Sequence, residues 1–314
     1  MQISRRTFLL RTTLIRGLIT GLCLATGAGC GRSVKDGIDH IYDEDGKIKA
    51  EYHYRDGVKN GPFREFDEKG HILAEGLVAN GKVTETRFSY FLNGKIKSQT
   101  SYTDGKRQGT AKANYSDGTL HTSKTFHNDK LEGPARTYSP DGALEAEKTY
   151  RDNKLQGTAR EYAGGTLIFE KTYADDRLNG MTKEYHEGGK VVKFNKTYKD
   201  NLLQGVTKEF DKSGKLLHEY HYEAGQVVLE REFYENGWVM REVQYQNSRI
   251  MTIREYYDKG ALMREKQIED GRPVQINEYY ENGALMYRKY YKNNILIRSE
   301  QYDPQGNFLN TQSF

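Results

Sequence analysis

The chain has 314 residues, among them 24 tyrosines, with 48 Lys and Arg against 44 Asp and Glu. A mean hydropathy of -0.88 with 29% charged residues excludes one thick apolar core, while that many tyrosines exclude a long disordered tail. The formal charge of +4 is carried by four arginines near the start, and the balance elsewhere excludes the basic stripe that nucleic-acid binding needs.

In chain order, Met1 to Cys30 differs in composition from everything that follows and is set aside from the fold. Arg5, Arg6, Arg11 and Arg16 form a basic region, followed by an apolar stretch from Leu18 to Ala28 that is too short to span a membrane. Within it, Ser4-Arg5-Arg6-Thr7-Phe8-Leu9 resembles the twin-arginine export signal, in which Arg5 and Arg6 would be the pair read by a receptor. An ordinary secretory signal is the alternative. Ala28-Gly29-Cys30 resembles the end of a bacterial lipobox, although Gly27 stands where that pattern prefers Leu. The resemblance implies cleavage after residue 29 and a lipid on Cys30. The other cysteine, Cys23, would leave with the signal, so Cys30 would have no partner for an intramolecular disulfide and is suited to anchoring. Gly31 after it points to the outer membrane, facing the periplasm or the cell surface. The expected organisation is a signal at 1–29, a tether at 30–37 and one repeat domain at 38–314.

From Tyr42 to Tyr302 an aromatic residue recurs every eleven to thirteen positions, with Val78 and Ile268 as the substitutes. A glycine series from Gly46 to Gly306 runs in phase with it at 23 to 25 residues, so one unit holds two aromatic beats. Most of these glycines follow a turn-forming residue, as in Asp45-Gly46, Asn93-Gly94 and Asn282-Gly283, and other turn signals such as Asp56-Gly57 and Asp152-Asn153 lie between them. Turns about every twelve residues leave room for strands and none for ordinary helices. Two residues after each glycine of the series stands an apolar residue, from Ile48 to Phe308, and an aromatic follows six later. That even spacing predicts one thin apolar stripe on one face of each strand, with residues such as Glu145, Glu147 and Thr149 in water on the other. The expected fold is all-β: an elongated array of antiparallel hairpins forming a single-layer twisted sheet of about 23 strands.

The phrases Tyr150-Arg151-Asp152-Asn153-Lys154-Leu155-Gln156-Gly157 and Tyr280-Glu281-Asn282-Gly283-Ala284-Leu285 resemble MORN-variant repeats and are similar to the bacterial YwqK-family antitoxins. The likeness covers about residues 38 to 309. It implies a hairpin ladder, and the antitoxin label implies a protein partner that no motif here identifies.

Catalytic chemistry finds no support in the sequence. His218 and His221 are close but an odd number apart, which sends them to opposite faces of a strand. Asp43-Glu44-Asp45-Gly46 lacks the flanking oxygens of a calcium loop and reads as a turn. No cofactor, metal or small-molecule substrate is expected. The monotony breaks from Trp238 onward, where Met240, Met263 and Met286 recur at 23 residues and suggest an apolar partner surface. Glycan recognition is disfavoured because Trp238 is the one tryptophan. The expected function is a non-enzymatic, membrane-anchored scaffold or adaptor for an unknown protein partner, with an antitoxin or immunity-type binder as the alternative.

Overall fold

The computed structural model describes residues 36–314, so the expected signal, with Arg5 and Arg6, and the lipid site at Cys30 lie outside the described residues. The first strands are β1 (Gly37–Tyr42), β2 (Ile48–Arg55), β3 (Val58–Phe66), β4 (Ile72–Ala79), β5 (Lys82–Tyr90), β6 (Ile96–Thr103), β7 (Lys106–Asn114) and β8 (Leu120–His127). There follow β9 (Lys130–Tyr138), β10 (Leu144–Arg151), β11 (Lys154–Leu155), β12 (Gly157–Ala163), β13 (Thr166–Ala174), β14 (Arg177–Tyr185), β15 (Val192–Lys199), β16 (Leu202–Leu203) and β17 (Gly205–Phe210). The last are β18 (Leu216–Glu223), β19 (Gln226–Phe233), β20 (Val239–Gln246), β21 (Arg249–Tyr256), β22 (Leu262–Glu269), β23 (Arg272–Tyr279), β24 (Leu285–Lys292), β25 (Ile295–Tyr302) and β26 (Phe308–Ser313). Each pairs antiparallel with its chain neighbours in one open sheet, as the repeat predicts. β11 with β12, and β16 with β17, are two halves of one strand split at a bulge, because β10 pairs with both halves of the first and β15 with both of the second. β1 takes in Gly37, the last residue of the expected tether.

Two kinds of turn alternate. The tight turns put both central residues at positive φ, as at Asp56 (φ 50) and Gly57 (φ 74), which matches the right-handed twist of the flanking strands. The turns of the glycine series are wider, except at Gly165, where Gly164 (φ 54) and Gly165 (φ 75) make another tight turn and Ala163 pairs with Thr166. In the first, Asp43 N–H donates to Lys47 O at 2.9 Å and Gly46 N–H to Asp43 O at 3.1 Å, and only the glycine has positive φ. The Asn or Asp in front of that glycine is therefore not there to supply backbone freedom. Asn93, Asn236 and Asn282 instead donate through Nδ2 to carbonyls of the next wide turn, at Ser116 (2.8 Å), Asp258 (2.7 Å) and Pro304 (2.8 Å). The turn from His186 to Val191 holds one residue more than the others, which accounts for the one-residue slip of Tyr198 in the aromatic series.

Register corrects the expected single stripe. The aliphatic residue after a wide turn is paired with the aromatic before it, as Ile72 with Phe66, Ile96 with Tyr90, Leu144 with Tyr138 and Leu262 with Tyr256, while Leu120 faces Asn114. A bulge then intervenes on the strand, so even spacing no longer carries one face from the aliphatic to the next aromatic. A second column of pairs closes the tight turns, with Phe126 opposite Leu131, Tyr150 opposite Leu155 and Tyr245 opposite Ile250. The two columns lie on opposite faces, and neither makes a thick core. Among the described residues the buried apolar side chains are Ala50, Phe63, Ala74, Val78, Ala135, Ala159 and Val243, and only Val243 is a larger side chain buried outright.

Candidate interaction surface

The middle of one face is a row of directly opposed side chains, one per strand. From β9 onward it reads Arg136, Glu147, Arg160, Glu170 and Lys183, then, across Asn195, Lys208, Glu219, Arg231, Glu242, Arg254 and Glu265. Arg160 Nε lies 2.9 Å from Glu170, Arg231 Nε 2.9 Å from Glu242, and Arg254 Nε 2.8 Å from Glu265. The sequence reading placed Glu147 in open water and treated such charges as a solvated face. Instead Glu147 sits between Arg136 and Arg160, and Glu242 is 8% exposed, so the ladder is structural. Neighbours such as Lys183 and Glu184 point to opposite faces, and each finds its partner across the strands.

Tyrosines tie the aromatic columns to polar groups in mid-strand, Tyr90 and Tyr185 on the face of this row and Tyr245 on the opposite face. Tyr90 donates to Glu75 at 2.6 Å, Tyr185 to Glu170 at 2.7 Å and Tyr245 to Glu230 at 2.8 Å. Burial first, and then the hydrogen bond to the carboxylate, pushes each of these three phenols up to about 12. The Tyr185 bond in turn holds the Glu170 carboxyl below its usual range, with Arg160 adding to the effect.

The two margins of the ribbon are stapled differently along its length. On the tight-turn margin of the first two thirds, Asn153 N–H donates to Leu131 O at 3.0 Å while Leu131 N–H donates to Asn153 Oδ1 at 2.8 Å. The pairs Asp129 with Arg107, Asp176 with Leu155 and Asn201 with Leu178 repeat this clamp. The residue before the bulge glycine completes it: Gln108, Glu132, Gln156 and Gln204 each accept the N–H of a turn residue in the next hairpin. The Leu-Gln-Gly phrase is thus a clamp between hairpins, a role that its recurrence alone did not disclose. On the wide-turn margin of the last third, Tyr234, Tyr257 and Tyr280 donate through their hydroxyls to Tyr256 O, Tyr279 O and Tyr302 O at 2.7, 2.9 and 3.1 Å. That is the use of the second aromatic in Phe233-Tyr234, Tyr256-Tyr257 and Tyr279-Tyr280, and Tyr115 makes the same bond to Tyr138 O at 2.8 Å in the first half.

The four residues singled out for a partner lie on this same margin, in three successive hairpins. Trp238 is in the wide turn before β20 and is 55% exposed, with its indole laid over Gly260 of the next wide turn, where a Cβ would come within 2.6 Å of the ring. Met240, Met263 and Met286 are the extra residues of the bulges in β20, β22 and β24, and all three are half-buried. Trp238 is therefore the most open of the four, and its ring is fixed in place by packing on a turn. A shallow open depression of about 460 Å³ lies elsewhere on the wide-turn margin, lined by His186, Lys190, Val191 and Lys212 at the lengthened turn. Among the described residues no three acidic, His or Cys side chains gather as a metal set, and no helix is long and apolar enough to cross a membrane.

No curated protein matches the chain. Among solved structures it is similar to the crystal structure of TcdB2-TccC3, with 11% identity over 88% of this chain and 18% of that one, at a TM-score of 0.19. A crystal structure of TcdB2-TccC3-Cdc42 gives 11%, 86%, 19% and 0.17, and a Tc holotoxin pore of Photorhabdus luminescens gives 14%, 88%, 18% and 0.16. The chain spans about a fifth of the length of those it matches. The family model that matches is the MORN repeat variant, at residues 41–56, 86–104, 131–152, 203–224, 226–247 and 277–293. Those six segments, spread from the first hairpin to the last third of the sheet, are similar to the MORN repeat variant.

Proposed function

We propose that this repeat protein is a non-enzymatic scaffold, exported and held at a membrane through a lipid on Cys30, that offers its wide-turn margin around Trp238 to a protein partner. The observation that carries the reading is the exposed, packed indole of Trp238 at the head of a run of three half-buried methionines. A large rigid aromatic on a preorganised turn is the kind of group that anchors interfaces at little entropic cost. A one-layer ribbon supports surface recognition better than catalysis, since its side chains are spread along rows and do not converge in a deep cleft.

The test is a photocrosslinking side chain placed at Trp238, and separately at Thr119 on the same margin, in intact cells. A captured protein at position 238 and none at 119 supports the reading, and equal labelling at both sinks it. A single toxic protein held one to one would make the role that of an immunity protein. For the anchor, Cys30→Ser is expected to release the chain from membranes; a variant that still sediments with them after a salt wash removes the lipid from the account.

A further inference from the structure

The two outermost described strands of the sheet are complementary halves of one hairpin. β1 has the build of the strand that follows a tight turn. Gly37 (φ 115) occupies the bulge position of Gly61 (φ 129), and Val34-Lys35-Asp36-Gly37 repeats Val58-Lys59-Asn60-Gly61 in sequence. Asp36 also makes the inter-hairpin clamp, accepting Asp56 N–H at 2.6 Å as Gln156 accepts that of Asp175. Yet no described strand stands on the outer side of β1, where β2 stands for β3.

β26 has the opposite build. It follows a wide turn, as β24 does, and Phe314 stands in the register position of Tyr291 in the tight-turn aromatic column. Its ring is 70% exposed, whereas Tyr291 is half-buried against the next strand. β26 is exposed at every residue, and Phe308-Leu309-Asn310-Thr311-Gln312-Ser313 carries no charge, proline or other device that protects an edge from pairing. The matching edge at β1 offers Ile38 (55% exposed) and Ile41 (43%).

We infer that β26 of one copy pairs antiparallel with β1 of the next, making between molecules the tight-turn pairing that each chain makes within itself. Continuing the register of β24 on β25 sets Asn310 opposite Ile41 of the next copy and Thr311 opposite its His40. The central row then runs on through Glu300, Thr311, His40 and Glu51 without a change of face. Because the two edges differ, the contact is heterologous, so copies add end to end and the assembly grows as a filament unless its rotation closes a ring. A single strand pairing falls below the size of a standard stable interface, so growth would depend steeply on concentration.

The test uses the full chain with Cys23→Ser and Cys30→Ser as background, carrying Asn310→Cys and Ile41→Cys together. Under oxidation the double-cysteine chain is expected to give a ladder of dimers, trimers and longer species on a non-reducing gel, and each single-cysteine chain to give none of the higher rungs. Adding Thr311→Lys and Ser313→Lys to exposed edge positions should abolish the ladder while the β-sheet circular dichroism is kept. A double-cysteine chain that stays monomeric at about 100 μM, far above the nanomolar affinities of stable complexes, overturns the inference. So does a dimer formed through Asn310→Cys alone, which would mean that two β26 edges meet.

Discussion

Glu242 shows what the central row contributes. It is nearly buried and accepts from Arg231 at 2.9 Å on one side and Arg254 at 3.1 Å on the other. Each guanidinium has a second acid, Glu219 at 3.2 Å and Glu265 at 2.8 Å, so losing Glu242 breaks two charge-assisted bonds without stranding a bare charge. Water reaches both half-exposed arginines and replaces part of the loss. Glu242→Ala is accordingly expected to cost about 2 kcal/mol in urea unfolding. The Arg249 to Asp270 pair, at 3.5 Å with side chains 76% and 92% exposed, has the same chemistry in open water. Asp270→Asn should change stability by about 0.5 kcal/mol or less. Equal effects of the two substitutions would mean that the row is no more than a set of surface pairs.

The hairpins divide into two designs by a single backbone position. In the first two thirds of the sheet a glycine at positive φ opens a bulge three residues into the strand, as at Gly61, Gly109, Gly133 and Gly180. From β19 onward the bulge shrinks by one residue and no glycine is needed, which is why the glycine series tightens to 23 residues there. Glu85 is the exception in the first design, holding φ 56 where its neighbours have glycine. The left-handed conformation costs a non-glycine residue about 1–2 kcal/mol, and glycine loses part of that advantage to its freer unfolded state. Glu85→Gly is therefore expected to stabilise the chain by about 0.5 kcal/mol, and Gly109→Ala, with no atom nearer than 3.8 Å, to destabilise it through φ alone. Thermal melts of the pair should shift in opposite directions, and a destabilised Glu85→Gly chain would mean that the side chain itself matters.

These two designs also mark how far the sequence could be read. Turn glycines, strand count and hairpin order were legible, because a strict repeat states them many times over. The face of each apolar residue was not, because a bulge changes the alternation without changing the spacing of Ile96 and Tyr102. Nor was the central row, since Lys183 and Glu184 look like one alternating pair until the register shows them on opposite faces. The clamp residues left a signal that could have been used: Asp129, Asn153, Asp176 and Asn201 replace glycine as second residue of tight turns where only a side-chain acceptor explains the exchange. At the candidate surface, Trp238 stood out in sequence, but its seat on Gly260 did not.

At the scale of the molecule, strand packing runs between chain neighbours, and the staples reach one hairpin further. Among the described residues the packing of strands on one another does not gather distant parts of the chain into a common core, so stability is close to a sum of hairpin terms and nearest-neighbour terms. A local defect should then be felt locally. Val243 is the place to introduce one, since it is 1% exposed and packs between Glu230 and Ile253 in the neighbouring strands. Val243→Ala should remove about 1–2 kcal/mol of transfer and packing free energy. In native-state hydrogen exchange, amides of β19 to β21 would lose protection by roughly tenfold, the factor that 1.4 kcal/mol sets. Those of β3 to β9, held by their own clamps on the other margin, would keep theirs. The stapling supports that division, because the tight-turn clamps end at Gly225 N–H to Leu203 O and the tyrosine bonds of the last third begin at Tyr234. Loss of protection spread evenly from β2 to β26 would show instead that the ribbon unfolds as one unit, with coupling between hairpins stronger than the hairpins themselves.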